Sequence, residues 1–214
     1  MQSNVPAVPA PGSTAPRRVP TQARSRERVE RMLASATSII AQQGSDALRM
    51  SEVAELAGVS IGSLYQFFPD KSSIIRTLAE RYNAQGVACV QAELAPVTSE
   101  AELRAALDRV VDGYYEMFLA EPVMRDLWWA TQADKSLQDV DAADLEAHTT
   151  LLRDVLVRLR PDHDPAALAT LALLTMQLLA TAVRLAISVD RDQGDAIVAT
   201  FKRMLPSDLP VTLG

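Results

Sequence analysis

Apolar residues recur along this chain at three- and four-residue spacing, the period that lays them on one face of a helix. Met32, Leu33, Ala36, Ile39 and Ile40 predict a first helix from Thr21, stopped by Gly44. Val53, Ala54 and Ala57 predict a short second helix over about Met50 to Leu56, ended by Gly58. Ser60 caps a third helix, from about Ile61 to Phe68, with Leu64 and Phe68 on its inner face. Pro69 and Asp70 break the chain, and Asp70 caps a fourth helix, lined by Ile74, Ile75, Leu78 and Tyr82, that runs to about Leu94. Beyond Pro96, Ser99 with Glu102 three residues on reads as a capping box. Leu103, Leu107, Val110, Val111, Tyr114 and Phe118 form the stripe that follows. Glu121-Pro122 closes this helix and opens a short one through Trp128 and Trp129. A longer helix spans about Val140 to Leu159, and another runs from Pro165, at a first helical position, to about Val189. A turn at Asp190 to Gly194 and a last helix ending near Leu205 complete the pattern. No strand candidate or internal repeat emerges, so the expected fold class is all-α.

Composition agrees with that pattern. Hydrophobic residues make up 48 % of the 214, enough for a sizeable core, and aromatics only 5 %. Eight glycines are too few for an all-β or glycine-rich nucleotide-binding fold. Residues 1–20 hold five of the twelve prolines and no apolar period, and read as a disordered tail. The expected organisation is that tail, an N-terminal unit over 21–70, a helical domain over 71–205, and a second tail over 206–214.

The formal net charge of −6 is unevenly spread. Residues 17–82 carry ten basic and seven acidic groups, whereas residues 83–214 carry 11 and 20. A basic end on an acidic body points that end at a polyanion. The single cysteine, Cys89, excludes an intrachain disulfide framework and fits a reducing cytoplasm. Residues 1–16 lack the positive and apolar regions of a secretory signal. Ala166 to Val183 is uncharged for 18 residues but contains Thr170, Thr175, Gln177 and Thr181, which fits a buried interface helix better than a membrane span.

The candidate chemistry lies at residues 49–71. Two short helices joined by a glycine-containing turn make a helix-turn-helix. Ala54 is small where the second helix crosses. Gly58 permits a positive φ, Val59 wedges between the helices, and Ser60 opens the recognition helix. Ile61, Gly62, Ser63, Tyr65, Gln66 and Phe67 remain for its outer face and edges. The pattern Val53-Ala54-x-x-Ala57-Gly58-Val59-Ser60-x-Gly62-Ser63-Leu64-Tyr65-x-x-Phe68-x-x-Lys71 resembles the DNA-binding domain of the tetracycline-repressor-like (TetR) family of bacterial regulators. With the first helix included, the resemblance covers about residues 25–82. It implies a homodimer that places each recognition helix in a major groove. It implies phosphate contacts from Tyr65 and Lys71 and base reading by Ser60, Ile61, Gly62, Ser63 and Gln66. Two positions depart from the family pattern. Arg49 stands where a threonine is usual; it can pair a phosphate but cannot cap the second helix, a role expected to pass in part to Ser51. Ile61 replaces a basic residue or proline, and can meet a thymine methyl. Of the basic run on the first helix, Arg24 and Arg26 are the residues expected to reach DNA.

Other motifs carry less. Gly58-Val59-Ser60-Ile61-Gly62 matches the hydrolase nucleophile elbow, but that elbow needs a preceding strand and here a helix precedes it. His148 and His163 are the only histidines, no cluster has metal-ligand spacing, and Cys89 lacks a nearby second thiol. Asp162-His163-Asp164 reads as a solvated turn. The chain's scarce aromatics crowd together with methionines: Tyr114, Tyr115, Met117, Phe118, Met124, Trp128 and Trp129. Plain core is one reading. An effector pocket is the other and the favoured one, because adjacent tryptophans on one helix cannot both enter one core, and the family resemblance implies an effector site in the C-terminal helices. Tyr114, Phe118, Trp128, Trp129, His148, Met176 and Gln177 are the expected lining, with Arg184 two turns beyond Gln177. The function expected is a ligand-responsive regulator, a repressor released from a pseudo-palindromic operator by a small hydrophobic or aromatic effector, without cofactor or metal. An enzyme and an effector-free architectural DNA-binding protein are the rival classes.

Overall fold

The structure, a computed structural model, describes residues 19–205. Nine α-helices span these described residues: α1 (Val19–Gln43), α2 (Met50–Leu56), α3 (Ile61–Phe67), α4 (Lys71–Leu94), α5 (Glu100–Ala120), α6 (Pro122–Ala133), α7 (Gln138–Leu159), α8 (Pro165–Ala186) and α9 (Arg191–Met204). Short 3-10 turns at Ser45–Ala47 and Lys135–Leu137 join α1 to α2 and α6 to α7. The proline-rich segment lies outside the described residues, save Val19 and Pro20, which open α1; residues 206–214 also lie outside them.

Side-chain caps set most of the boundaries. The Asp70 carboxylate accepts from the Ser73 amide at 2.7 Å, and the Ser73 hydroxyl accepts from the Asp70 amide at 3.4 Å. Ser99 accepts from the Glu102 amide at 3.3 Å, but Glu102 reaches one residue further back than a capping box requires, to the Thr98 amide at 2.7 Å. Asp164 caps α8, where Pro165 supplies a residue with no amide to satisfy. Asp190 caps α9, accepting from the Gln193 amide at 3.0 Å. The turn expected at Asp190 to Gly194 is therefore absent: α8 ends at Ala186, and α9 begins directly after its cap. Gly194 is buried inside α9, where a Cβ would stand 2.4 Å from the Tyr115 hydroxyl and 2.6 Å from the Ala186 carbonyl oxygen. Close approach of α9 to α5 and α8, and not chain reversal, is what this glycine permits.

Two apolar cores result. The first gathers Met32, Leu33, Ala36, Ile39 and Ile40 of α1, Val53, Ala54 and Leu64 of the short helices, and Ile74, Ile75 and Leu78 from the start of α4. It also takes Val123 and Leu127 from α6. The second joins α4, α5, α7, α8 and α9 through residues such as Val90, Leu107, Val111, Leu152, Leu156, Ala172 and Val183. Tyr82 packs against both. Among the described residues, α8 is long and apolar enough to cross a membrane, with a mean hydropathy of 1.9. It packs against α5, α7 and α9 along one side, while Leu173, Leu174, Leu178 and Leu185 are exposed on the other.

Candidate functional site

At the N-terminal unit, Gly58 adopts φ 64°, which a side chain would strain. That conformation lets its amide reach the Glu55 carbonyl at 3.1 Å and the Val59 amide reach the Ala54 carbonyl at 3.0 Å, closing the end of α2. The chain then turns into α3, whose Ser60 hydroxyl accepts from the Ser63 amide at 3.1 Å. Leu64 is fully buried and Phe68 nearly so, which aims the opposite face of α3 at solvent. Ser60, Ile61, Gly62, Tyr65 and Gln66 are exposed there, and Phe67 is half-buried against the core. Ser63 is half-buried, and its hydroxyl accepts from Arg28 at 3.4 Å.

Helix α2 begins at Arg49 without a side-chain cap, so Ser51 does not take over the role that Arg49 cannot fill. Both residues are exposed. The Lys71 ammonium donates to the Asp46 carbonyl at 3.1 Å, tying α4 to the first 3-10 turn. The arginines of α1 divide. Arg28 turns to Ser63, and Arg31 donates to the Ala57 carbonyl at 3.4 Å, at the C-terminal end of α2. Arg24 and Arg26 are exposed. Glu30 pairs with Arg81 through contacts of 2.6 and 2.7 Å, which lock α1 to α4 and hold the Glu30 carboxyl below its ordinary range. The three helices thus present hydroxyls, an exposed phenol and guanidinium groups, with the exposed carboxylates of Glu27 and Glu30 interleaved among the arginines of α1 and that of Glu55 on α2.

Farther along, α4, α5, α6, α7 and α8 line a cavity that is partly open to solvent. Tyr114, Phe118, Trp128, His148 and Met176 line it together, with Tyr82, Met117, Met124, Leu127, Leu145 and Leu179. The Tyr114 and Phe118 rings meet edge to face, 5.0 Å apart. Gly86 on α4 opens one wall, since a Cβ there would already touch Met117 and His148. Two expected residues lie outside. Trp129 is 53 % exposed, because the rotation of about 100° per residue turns it outward when Trp128 faces in. Gln177 is exposed beside Leu178, one position past the buried Met176.

The cavity also holds polar groups that the aromatic pattern does not reveal: Thr131, Asp141, Asp144 and Arg184. Asp141, Asp144 and His148 follow one another at i, i+3 and i+7 on α7, a spacing legible in the sequence as one helical face. Asp141 accepts from the Thr131 hydroxyl at 2.9 Å and from the Gln132 amide. His148 Nδ1 lies 2.8 Å from the Asp144 carbonyl oxygen, which can only accept, so this nitrogen carries the proton. The Arg184 guanidinium stacks over the Trp128 ring at 5.0 Å. Burial raises the carboxyls of Asp141 and Asp144 above their ordinary range, with Arg184 pulling both the other way. Burial and the Asp144 charge push the Tyr114 hydroxyl up to about 12, so it stays protonated at neutral pH. The Trp128 Nε1, Arg184 Nε and Asp144 Oδ1 atoms are buried without a protein hydrogen-bond partner.

The arrangement of a helix-turn-helix unit ahead of a helical cavity domain has a family counterpart. The family model described as "Bacterial regulatory proteins, tetR family" matches residues 32–78, and that described as "Tetracyclin repressor-like, C-terminal domain" matches residues 101–212, more than half of the chain. The chain belongs to the TetR family. TetR-family members are DNA-binding transcriptional regulators and not enzymes, and this chain is one of those regulators. A TetR-family regulator from Streptomyces coelicolor is similar at 30 % identity and a TM-score of 0.63, over 83 % of this chain and 95 % of that one. The FadR regulator of Bacillus subtilis, solved with stearoyl-CoA, shares the fold at 15 % identity and a TM-score of 0.62, over 83 % and 97 %. RolR, solved with resorcinol, shares it at 20 % identity and a TM-score of 0.57, over 86 % and 89 %. A search of curated proteins finds no match. A long acyl thioester and a small diphenol among the fold's ligands mean that the fold leaves ligand class to the residues of each cavity.

Proposed function

We propose that this TetR-family protein is a cytoplasmic homodimeric repressor, released from a pseudo-palindromic operator when a small hydrophobic or aromatic effector enters the cavity. The observation that carries this reading is the sharing of α4 and α6 between the cavity and the DNA-binding unit. Leu127 lines the cavity and belongs to the N-terminal core, and Tyr82 lines it while packing against both cores. An effector that shifts either residue must also shift the base on which α1 to α3 rest. In this reading Ser60, Ile61, Gly62, Ser63 and Gln66 face base edges, while Arg24, Arg26, Arg49, Ser51, Tyr65 and Lys71 face phosphates. Arg28 joins them at the edge of α3, a position that its contact with Ser63 supports. Tyr114, Phe118, Trp128, His148 and Met176 hold the effector. The exposed leucines of α8 and the groove between α8 and α9, lined by Leu185, Ile197, Phe201 and Met204, support a paired-helix interface with a second copy.

The test fills the cavity. Wild-type protein selects its duplex from a random library, and aromatic compounds are then screened for release of that duplex. Gly86→Leu projects a side chain into the cavity without touching α1 to α3. It is expected to bind the selected duplex within about twofold of wild type and to need at least tenfold more of any releasing compound. An unchanged response in Gly86→Leu overturns the cavity as effector site.

A further inference from the structure

The wall of the cavity carries three unmatched polar atoms, and their chemistry restricts what can bind. Asp144 Oδ1 is an acceptor without a hydrogen bond, since the nearby His148 Nδ1, 3.5 Å away, donates to the Asp144 carbonyl oxygen; Trp128 Nε1 and Arg184 Nε are donors without an acceptor. All three residues line the same cavity, and Arg184 lies directly over the Trp128 ring. Asp141, in contrast, is already served by Thr131 and Gln132. An occupant that meets these atoms supplies bonds that the protein alone leaves unmade, and one that covers them without matching them loses affinity.

Ligand classes differ in how many of the three they can serve. A hydrocarbon serves none. A carboxylate accepts from Trp128 and Arg184 but sets a third negative charge beside Asp141 and Asp144. An ammonium donates to Asp144 but offers nothing to the two donors and is repelled by Arg184. A hydroxyl matches the acceptor and the donors alike, because one O–H donates while its lone pairs accept. The edge-to-face pair of Tyr114 and Phe118 and the thioethers of Met117, Met124 and Met176 surround the rest of the space with apolar, polarizable surface.

We infer that the effector is a neutral hydroxylated aromatic molecule, its hydroxyl donating to Asp144 and accepting from Trp128 and Arg184. This inference rests on the cavity being the effector site. It makes carboxylate and acyl-thioester ligands poor occupants, in spite of the shared fold with an acyl-CoA-bound regulator.

Calorimetry on the full chain at pH 7 with four probes of one shape tests it: 4-ethylphenol, ethylbenzene, 4-ethylbenzoate and 4-ethylbenzylamine. The phenol is expected to bind at least tenfold tighter than each of the others. Asp144→Leu is expected to erase the preference of phenol over ethylbenzene. Asp144→Asn, which keeps an accepting oxygen and removes the charge, is expected to retain that preference and to narrow the gap between phenol and benzoate. Tighter binding of the benzoate or the amine overturns the inference and leaves the cavity as a binding site, as does an Asp144→Leu variant with its phenol preference intact. If none of the four binds, the inference is again overturned. Binding of the wild-type chain to its selected duplex, followed in parallel by anisotropy, then separates a failed cavity assignment from a failed DNA-binding preparation.

Discussion

Asp144 shows how one residue sets function against stability. Its side chain is mostly buried beside Asp141, with His148 on the same helix and the Arg184 guanidinium on α8 around it. Burial raises its carboxyl above the unfolded value of roughly 3.9. A group whose proton is held more tightly in the folded state favours folding when protonated, so ionised Asp144 costs stability at neutral pH. That cost fades as pH falls through the raised folded value toward the unfolded one. Asp144→Asn is expected to be more stable than wild type at pH 7 by about 1 kcal/mol, roughly 2–4 °C in Tm for a chain of this size. The advantage should shrink steadily toward pH 4. A thermal melt series at several pH values checks both the sign and the window. An advantage that grows on acidification would mean that Arg184, and not burial, governs this carboxylate.

At the scale of elements, what the sequence discloses depends on how local the cause is. The boundaries of α2, α3 and α4 follow from Gly58, Ser60 and Asp70, each acting within four residues of itself, and they are found where the pattern predicts them. Gly194 is different. Glycine before a helical stretch reads as a turn, and only the three-dimensional neighbourhood reveals that Tyr115 and Ala186 leave no space for a side chain. Trp129 and Gln177 fail for a related reason. Residue type identified a ligand-like cluster, but helical phase decides which member faces in, and the phase of α6 and α8 is set by packing against other helices. Asp141, Asp144 and His148 of α7 stand at i, i+3 and i+7 in the sequence, yet the acidic character of the whole domain masks the two carboxylates. In the recognition element, Lys71 both fastens α4 to the first 3-10 turn and stands at the proposed DNA face. Lys71→Ala is expected to weaken binding to every duplex and to reduce the slope of log K against log salt by about one. Gln66→Ala should change preference at one base position and leave that slope alone. An unchanged slope for the lysine variant would assign Lys71 to structure only.

On the scale of the molecule, the charge asymmetry and the exposed leucines belong to one design. The acidic domain repels DNA, so contact is confined to the basic N-terminal end. A single seven-residue recognition helix reads few base pairs, and the proposed homodimer, with two of them about a twofold axis, would double the site. Leu174, Leu178 and Leu185 are each more than half exposed on α8, an apolar row that the proposed pairing with a second copy would remove from water. Leu178→Glu, which puts a charge in that surface, is expected to shift sedimentation at micromolar concentration from dimer to monomer or aggregate. It should also reduce affinity for the selected duplex by at least tenfold. A wild-type chain that sediments as a folded monomer under the same conditions would remove this interface.

Tyr82 and Leu127 belong to the cavity wall and to the packing beneath the DNA-binding helices at once. Coupling through such shared residues has no preferred direction. In the proposed repressor, whatever factor the effector takes from operator affinity, the operator takes from effector affinity, because the two routes around the thermodynamic cycle must close. A protein seated on its operator is therefore a poorer sensor than the same protein free in solution. Under the proposed function, the pool not bound to DNA detects the small molecule first, and the number of copies per cell, as much as the chemistry of the cavity, sets the concentration at which the genes respond.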